Sequence, residues 1–383
     1  MRDENEFNKE LDRRYVTFED ELDEKEYNEA RQLWHTPTEL FRPYYGEAIA
    51  RYLLTNYKLT LFPYHDLLIY EMGAGNGTLM LNVLDYLRYE DPDVYDRTKF
   101  RINEISSSLA SLQASQLKRN AASKGHADKV EIINRSIFDW DQYVSSPCFF
   151  LALEVFDNFA HDALRYDPIT EEAMQAYVLV DAEGDFYEFY DRNIEPVAAR
   201  FLRVRDAACS SPYQHPLRTP RYLRQLRSRL PLAPNLTTPE FIPTRLMQFF
   251  DILYKYFPAH KLVTSDFHSL PDAIPGVNAP VVQTRYRRNV VPVTTPLVSF
   301  LFPIRAAGRL ICYKVHQGYF DILFPTDFMV MEDMYRAITG KLTRVLTHED
   351  FLRRWAYVED TETRSGENPL LSWYKNASVM VTI

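Results

Sequence analysis

The spacing of apolar residues changes period along the chain, and each change predicts an element. Leu67-Leu68-Ile69-Tyr70-Glu71-Met72 is a short, nearly unbroken apolar run, the pattern of a fully buried strand. Leu79 to Tyr89 then repeats with a helical period and is apolar almost all round, which predicts a well-buried helix. Phe100-Arg101-Ile102-Asn103-Glu104-Ile105, Val130-Glu131-Ile132-Ile133-Asn134 and Cys148 to Leu153 predict further strands, with a helix over Ser107 to Asn120. Such alternation predicts an α/β domain with a mostly parallel sheet. Upstream, Ala48, Ile49, Tyr52 and Leu53 repeat with a helical period up to Tyr57, and Thr36 with Glu39 fits a capping box. Phe18 to Trp34 predicts a charged surface helix.

Beyond Leu153 the pattern loosens. Tyr177 to Val180 and Phe186 to Tyr190 predict a hairpin around Glu183-Gly184. Residues 191–260 read as mostly helical, with Arg221, Arg224 and Arg227 on one helix face, either solvated or placed for an acidic partner. Leu262 to Phe267, Val281 to Arg288 and Phe320 to Phe328 predict late strands, and Thr347 is an N-cap for a helix from His348. The expected organisation is an N-terminal helical segment (1–60), a Rossmann-like core (61–190), a largely helical insertion covering the substrate (191–260), and remaining strands and helices of the same domain (261–383).

The chemistry concentrates between the first strand and its helix, at Gly73-Ala74-Gly75-Asn76-Gly77-Thr78. Glycines at alternate positions let the backbone turn sharply and approach a ligand closely. The following helix aims its first amides at whatever sits on the loop. Dinucleotide sites favour a third glycine one position later, where Thr78 stands here. Glu71, just before the loop, suits the ammonium group of S-adenosylmethionine, which carries no pyrophosphate. A methyl donor, a dinucleotide and a turn used only for packing are the three readings.

Glu104, about 30 residues past the first glycine and followed by Ile105, can accept both hydroxyls of a ribose, or is a satisfied strand-end acid. Asp139 could bond an adenine amino group, with Ile137 or Phe138 flanking its ring. Glu154 and Asp157 follow the fourth strand, at the carboxyl edge where open α/β sheets place their reactions. Glu154 could equally cap the next helix or hold the donor's ammonium group.

A formal net charge of −9 over 383 residues argues against general nucleic-acid binding. Cys148, Cys209 and Cys312 have no metal-ligand spacing and suggest a reducing compartment. No apolar run approaches the roughly 20 residues that span a membrane. The first residues, Met1-Arg2-Asp3-Glu4-Asn5-Glu6, have neither a signal peptide's apolar stretch nor the acid-poor character of a transit peptide.

Several stretches together resemble the MidA-like methyltransferases, a family that includes the mitochondrial complex I assembly factor that methylates an arginine. They are Thr36-Pro37-Thr38-Glu39 with Phe41 and Gly46-Glu47, Glu71 to Leu79, Asn103-Glu104-Ile105-Ser106 with Leu109 and Gln113, and Glu154-Val155-Phe156-Asp157-Asn158. The resemblance implies a seven-stranded, Rossmann-like class I methyltransferase fold and S-adenosyl-L-methionine as donor. It implies a protein (arginine) substrate, with a respiratory complex I subunit among the candidates, and a mitochondrial location. An arginine acceptor could be held by two carboxylates that steer one nitrogen toward the methyl group, and Glu154 and Asp157 are the candidates for that role. Two departures mark a divergent, fungal-like branch: Leu153 stands where the family usually has Asn, and Asn158-Phe159-Ala160 where it has Ala-Leu-Pro. Residues 299–316 have no counterpart in the resemblance, and we read them as translated intron.

Overall fold

The computed structural model describes residues 36–116, 125–182, 186–209, 215–231, 233–271, 273, 278–286, 289–292 and 321–383. The expected helix over Phe18 to Trp34, the Glu183-Gly184 turn and the 299–316 segment lie outside them. The chain divides into two compact units. One comprises Met1–Val155, Ile252–Asp266 and Leu342–Ile383; the other comprises Phe156–Asp251 and Phe267–Lys341.

The first unit is built on a seven-stranded sheet. Its strands are β1 (Leu67–Met72), β2 (Thr98–Glu104), β3 (Val130–Asn134), β4 (Cys148–Leu153), β9 (His260–Phe267), β13 (Thr343–Thr347) and β14 (Ala377–Thr382). Their order is β13-β14-β9-β4-β1-β2-β3. β1 lies between β2 and β4, parallel to both, and β4 runs parallel to β9, while β13 and β14 are antiparallel. This is the mostly parallel, Rossmann-like class I arrangement, and it puts the ends of β1, β2, β3 and β4 on one edge. Every residue of β1 is buried, Glu71 included. Tyr70 stacks on Phe150 at 6.0 Å and meets Phe257 edge-on at 5.1 Å, an aromatic centre that fixes β1 against β4.

Five helices of this unit bear on the site. Helix α1 (Pro37–Leu40) starts at Thr36, whose side chain accepts from the Glu39 amide at 3.3 Å. Helix α2 (Tyr44–Thr60) crosses α3 (Thr78–Glu90) so closely that a Cβ on Gly46 would lie 2.5 Å from Asn82 Cβ. Helix α4 (Ser107–Gln116) follows β2, and α5 (His348–Trp355) is capped by Thr347, which accepts from the Asp350 amide at 3.0 Å. The capping box is only half formed. The Glu39 carboxylate takes the hydroxyl hydrogen of Thr78 and pairs with Arg42 at 3.3 Å, so it ties the N-terminal segment to α3.

The second unit contains a four-stranded sheet, β7-β6-β5-β8, and a three-stranded sheet, β11-β10-β12. The former holds β5 (Asp162–Tyr166), β6 (Ala173–Val180), β7 (Phe186–Asp191) and β8 (Glu240–Ile242); the latter holds β10 (Val281–Tyr286), β11 (Asn289–Pro292) and β12 (Asp321–Leu323). The expected hairpin is present, with Val180 paired to Phe186. Glu240 sits buried between Arg205, at 2.6 Å, and the Tyr166 hydroxyl. Arg224 turns inward to Glu171 and to the carbonyls of Leu217, Thr219 and Pro168 rather than sharing an open basic face.

Candidate active site

β1 delivers Glu71 and Met72 to the carboxyl edge and then turns. Gly73, Gly75 and Gly77 have φ of 72°, 50° and 75°, a left-handed backbone that explains glycine at alternate positions. The Gly77 amide closes the turn onto the Ala74 carbonyl at 2.7 Å, and α3 begins at Thr78. A Cβ on Gly73 would lie 3.0 Å from Val155 Cγ2, so the loop passes tightly under the end of β4.

Glu71 is buried, and its Oε2 has no hydrogen-bond partner. Burial, and secondarily the neighbouring charge of Glu104, push its carboxyl up to about 8. An uncompensated buried carboxylate beside a glycine loop fits a cationic ligand group. Glu104 ends β2 and is also buried. Its Oε1 accepts from the Ser106 amide at 2.9 Å, and its Oε2 accepts from Gln113 Nε2 at 3.1 Å. Gln113 Nε2 also donates to the Gly75 carbonyl at 2.7 Å, so one amide joins the acid to the glycine loop.

The other nucleoside candidates follow β2 and β3. Ile105 is 74% exposed at the end of β2. Ile137, Phe138 and Asp139 form a single 3-10 turn after β3, begun by Ser136, whose side chain accepts from the Phe138 amide at 3.2 Å. Ile137 is buried, Phe138 half-buried and Asp139 exposed. The glycine loop, the end of β2 and the turn after β3 thus follow three neighbouring strands at one edge of the sheet.

Glu154 and Asp157 belong to different units. In the first unit, Glu154 is held at φ 55°, unusual for a residue with a side chain, by its amide's bond to the Ser265 carbonyl at 2.8 Å. Tyr45 of α2 is buried within electrostatic reach of Glu154 and shares a hydrogen bond with the Ser265 side chain. Burial is the main cause that raises its phenol above the usual range. His348 stacks on Tyr45 at 5.5 Å. In the second unit, Asp157 is buried, and burial pushes its carboxyl up to about 6 against the opposing pull of Asn158, whose Nδ2 donates to Asp157 Oδ1 at 2.6 Å. One of the residues that depart from the pattern the resemblance implies, Asn158, thus donates to this carboxylate.

Sequence reasoning missed the roles of Glu39, Tyr45 and Gln113. A polar residue on an inward helical position, Gln113 one turn after Leu109, was the available signal for the last.

A mostly parallel sheet with a glycine turn at β1 and an acid at the end of β2 is the arrangement of a nucleoside-binding α/β protein of the class I methyltransferase type. The family described as "Putative S-adenosyl-L-methionine-dependent methyltransferase" matches residues 48–347, and the chain belongs to it. It is 26% identical over 325 residues to the "Protein arginine methyltransferase NDUFAF7 homolog, mitochondrial" of Schizosaccharomyces pombe, a match covering 82% of this chain and 65% of that one. It is 20% identical to the Saccharomyces cerevisiae protein of the same description, over 88% of this chain and 78% of that one. The chain therefore spans less than two thirds of the fission-yeast relative. Among solved structures, a Burkholderia thailandensis protein bound to S-adenosyl-homocysteine shares the fold, with a TM-score of 0.57 at 14% identity over 91% of this chain and 78% of that one.

Proposed function

We propose that the chain is an S-adenosyl-L-methionine-dependent methyltransferase acting on an arginine of a protein. The carrying observation is the union of a partnerless buried Glu71, the left-handed glycine turn and the tethered Glu104. A bound donor would supply an activated methyl group, leaving positioning to the protein. Glu71 receives the ammonium group, the loop amides and the start of α3 receive the carboxylate, and Glu104 accepts from the ribose hydroxyls. Asp139 accepts from the adenine amino group, while Ile105, Ile137 and Phe138 flank the ring.

Glu154 and Asp157 are assigned to the acceptor. A guanidinium keeps its proton in water, so a carboxylate that binds it side-on also fixes which nitrogen faces the donor and draws on the departing proton. The strained Glu154 backbone supports this, because such conformations persist where the surroundings hold them for a purpose. The mitochondrial descriptions of both relatives support a mitochondrial place; a complex I subunit as substrate rests on the family resemblance alone. A second reading, a binding or assembly protein that keeps the donor site without turnover, draws on Leu153 and Asn158-Phe159-Ala160, which alter the acceptor side. Transfer of a labelled methyl group from the donor to a protein separates the two.

A further inference from the structure

We propose that Gln113 is the positioning residue through which the glycine loop and the ribose acid read the sugar hydroxyls as one unit; this rests on the donor site proposed above. The amide of Gln113 has two N–H donors, and both are used, one on the Gly75 carbonyl and one on Glu104 Oε2. The reverse orientation would set the amide oxygen against two acceptors, so the side chain has one workable placement. Its oxygen is left buried without a donor, an arrangement that costs stability. An apolar side chain of similar size would fill the position without that cost. The amide therefore belongs to its two acceptors rather than to the packing of α4.

The geometry divides the work. The Ser106 amide holds Glu104 Oε1 at 2.9 Å, and Gln113 holds Oε2, so both oxygens of the acid are fixed before a sugar arrives. Gln113 simultaneously fixes Gly75, the middle glycine of the loop. Loss of the amide frees the acid to rotate and unlinks it from the turn. The turn keeps its own closure through the Gly77 amide and the Ala74 carbonyl, so the penalty falls on ligands that carry ribose hydroxyls.

The test is calorimetric and needs no turnover. Wild type and Gln113→Met are titrated with S-adenosyl-homocysteine and with its 2′,3′-dideoxy analogue, with Glu104→Ala as control. Gln113→Met is expected to weaken S-adenosyl-homocysteine binding at least about tenfold, the scale of one hydrogen bond to a charged group, while changing the dideoxy analogue less than about twofold. Retained binding of that analogue is also the evidence that the variant folds. Equal losses for both ligands would make Gln113 a structural residue and overturn the proposal, as would an unchanged affinity for S-adenosyl-homocysteine. If Glu104→Ala binds S-adenosyl-homocysteine as wild type does, or wild type binds neither ligand, the donor-site reading itself fails and takes this inference with it.

Discussion

The amide of Glu154 donates to the carbonyl of Ser265 at 2.8 Å, and this bond between the ends of β4 and β9 holds Glu154 in a left-handed conformation. The bond supplies a reason for the strain, and the proposed acceptor role of the carboxylate supplies a use for it. Replacing Glu154 by Gln keeps the backbone and removes the charge. Methyl transfer should fall about 100-fold, with donor affinity from calorimetry unchanged. Replacing it by Gly relieves the strain, so the melting temperature should stay level or rise, by about 1 kcal/mol of stability, while transfer is lost. A destabilised Glu154→Gly protein would show that the backbone is not strained there.

Glu71 makes stability depend on pH. Its folded carboxyl titrates near 8, well above the ordinary value of 4.5, because burial penalises the charge. The folded state therefore holds a proton that the unfolded chain has released between those limits. Stability is greatest below pH 4.5 as far as this group is concerned, and it falls as pH rises toward 8. Glu71→Gln should flatten the decline in urea midpoint between pH 5 and 8. A donor whose ammonium group pairs with the ionised carboxylate should release protons on binding near pH 7, visible as a binding heat that changes with the buffer's ionisation heat.

Asn158 tunes Asp157. Its hydrogen bond favours the ionised carboxylate, so Asn158→Ala should carry Asp157 further above 6. If ionised Asp157 is the active form, the acidic limb of the transfer rate moves to higher pH, and the rate above that limb is retained. An unmoved limb would detach Asp157 from the reaction.

The crossing of α2 and α3 is a separate matter of packing. Gly46→Ala would drive a methyl group against Asn82, with 2.5 Å between the two Cβ atoms. The backbone or the side chain must shift, and the chain should lose about 1–3 kcal/mol in a denaturant titration. Because α2 carries Tyr45, donor binding should be less affected than transfer.

The sequence made the β1–loop–α3 unit legible because its signals are local: an apolar run, alternate glycines and a helical period. Glu71 and Glu104 were visible for the same reason, each standing at the end of a strand whose limits the pattern marks. Gln113 was visible as part of the family resemblance, but its bonds to Gly75 and Glu104 were not, since they depend on how α4 packs. Glu39 misled in an instructive way. The capping-box spacing is genuine, but a tertiary partner, Thr78, takes the carboxylate that the local motif would have used. The face shared by Arg221, Arg224 and Arg227 follows the helical period, yet Arg224 is drawn inward by carbonyls of surrounding loops and by Glu171. The four-stranded sheet was hardest to foresee. Its β5–β8 pairing joins Ala163 to Phe241, a separation over which no local pattern carries information.

The central claim is methyl transfer to an arginine, and one assay meets it directly. The purified full chain is incubated with tritium-methyl-labelled S-adenosyl-L-methionine and mitochondrial extract, and the labelled protein is identified by mass spectrometry. The account predicts label on an arginine of one mitochondrial protein, reduced about 100-fold when Glu154→Gln replaces wild type. Donor binding with no labelled protein would contradict it and leave the chain a binding protein on a methyltransferase fold.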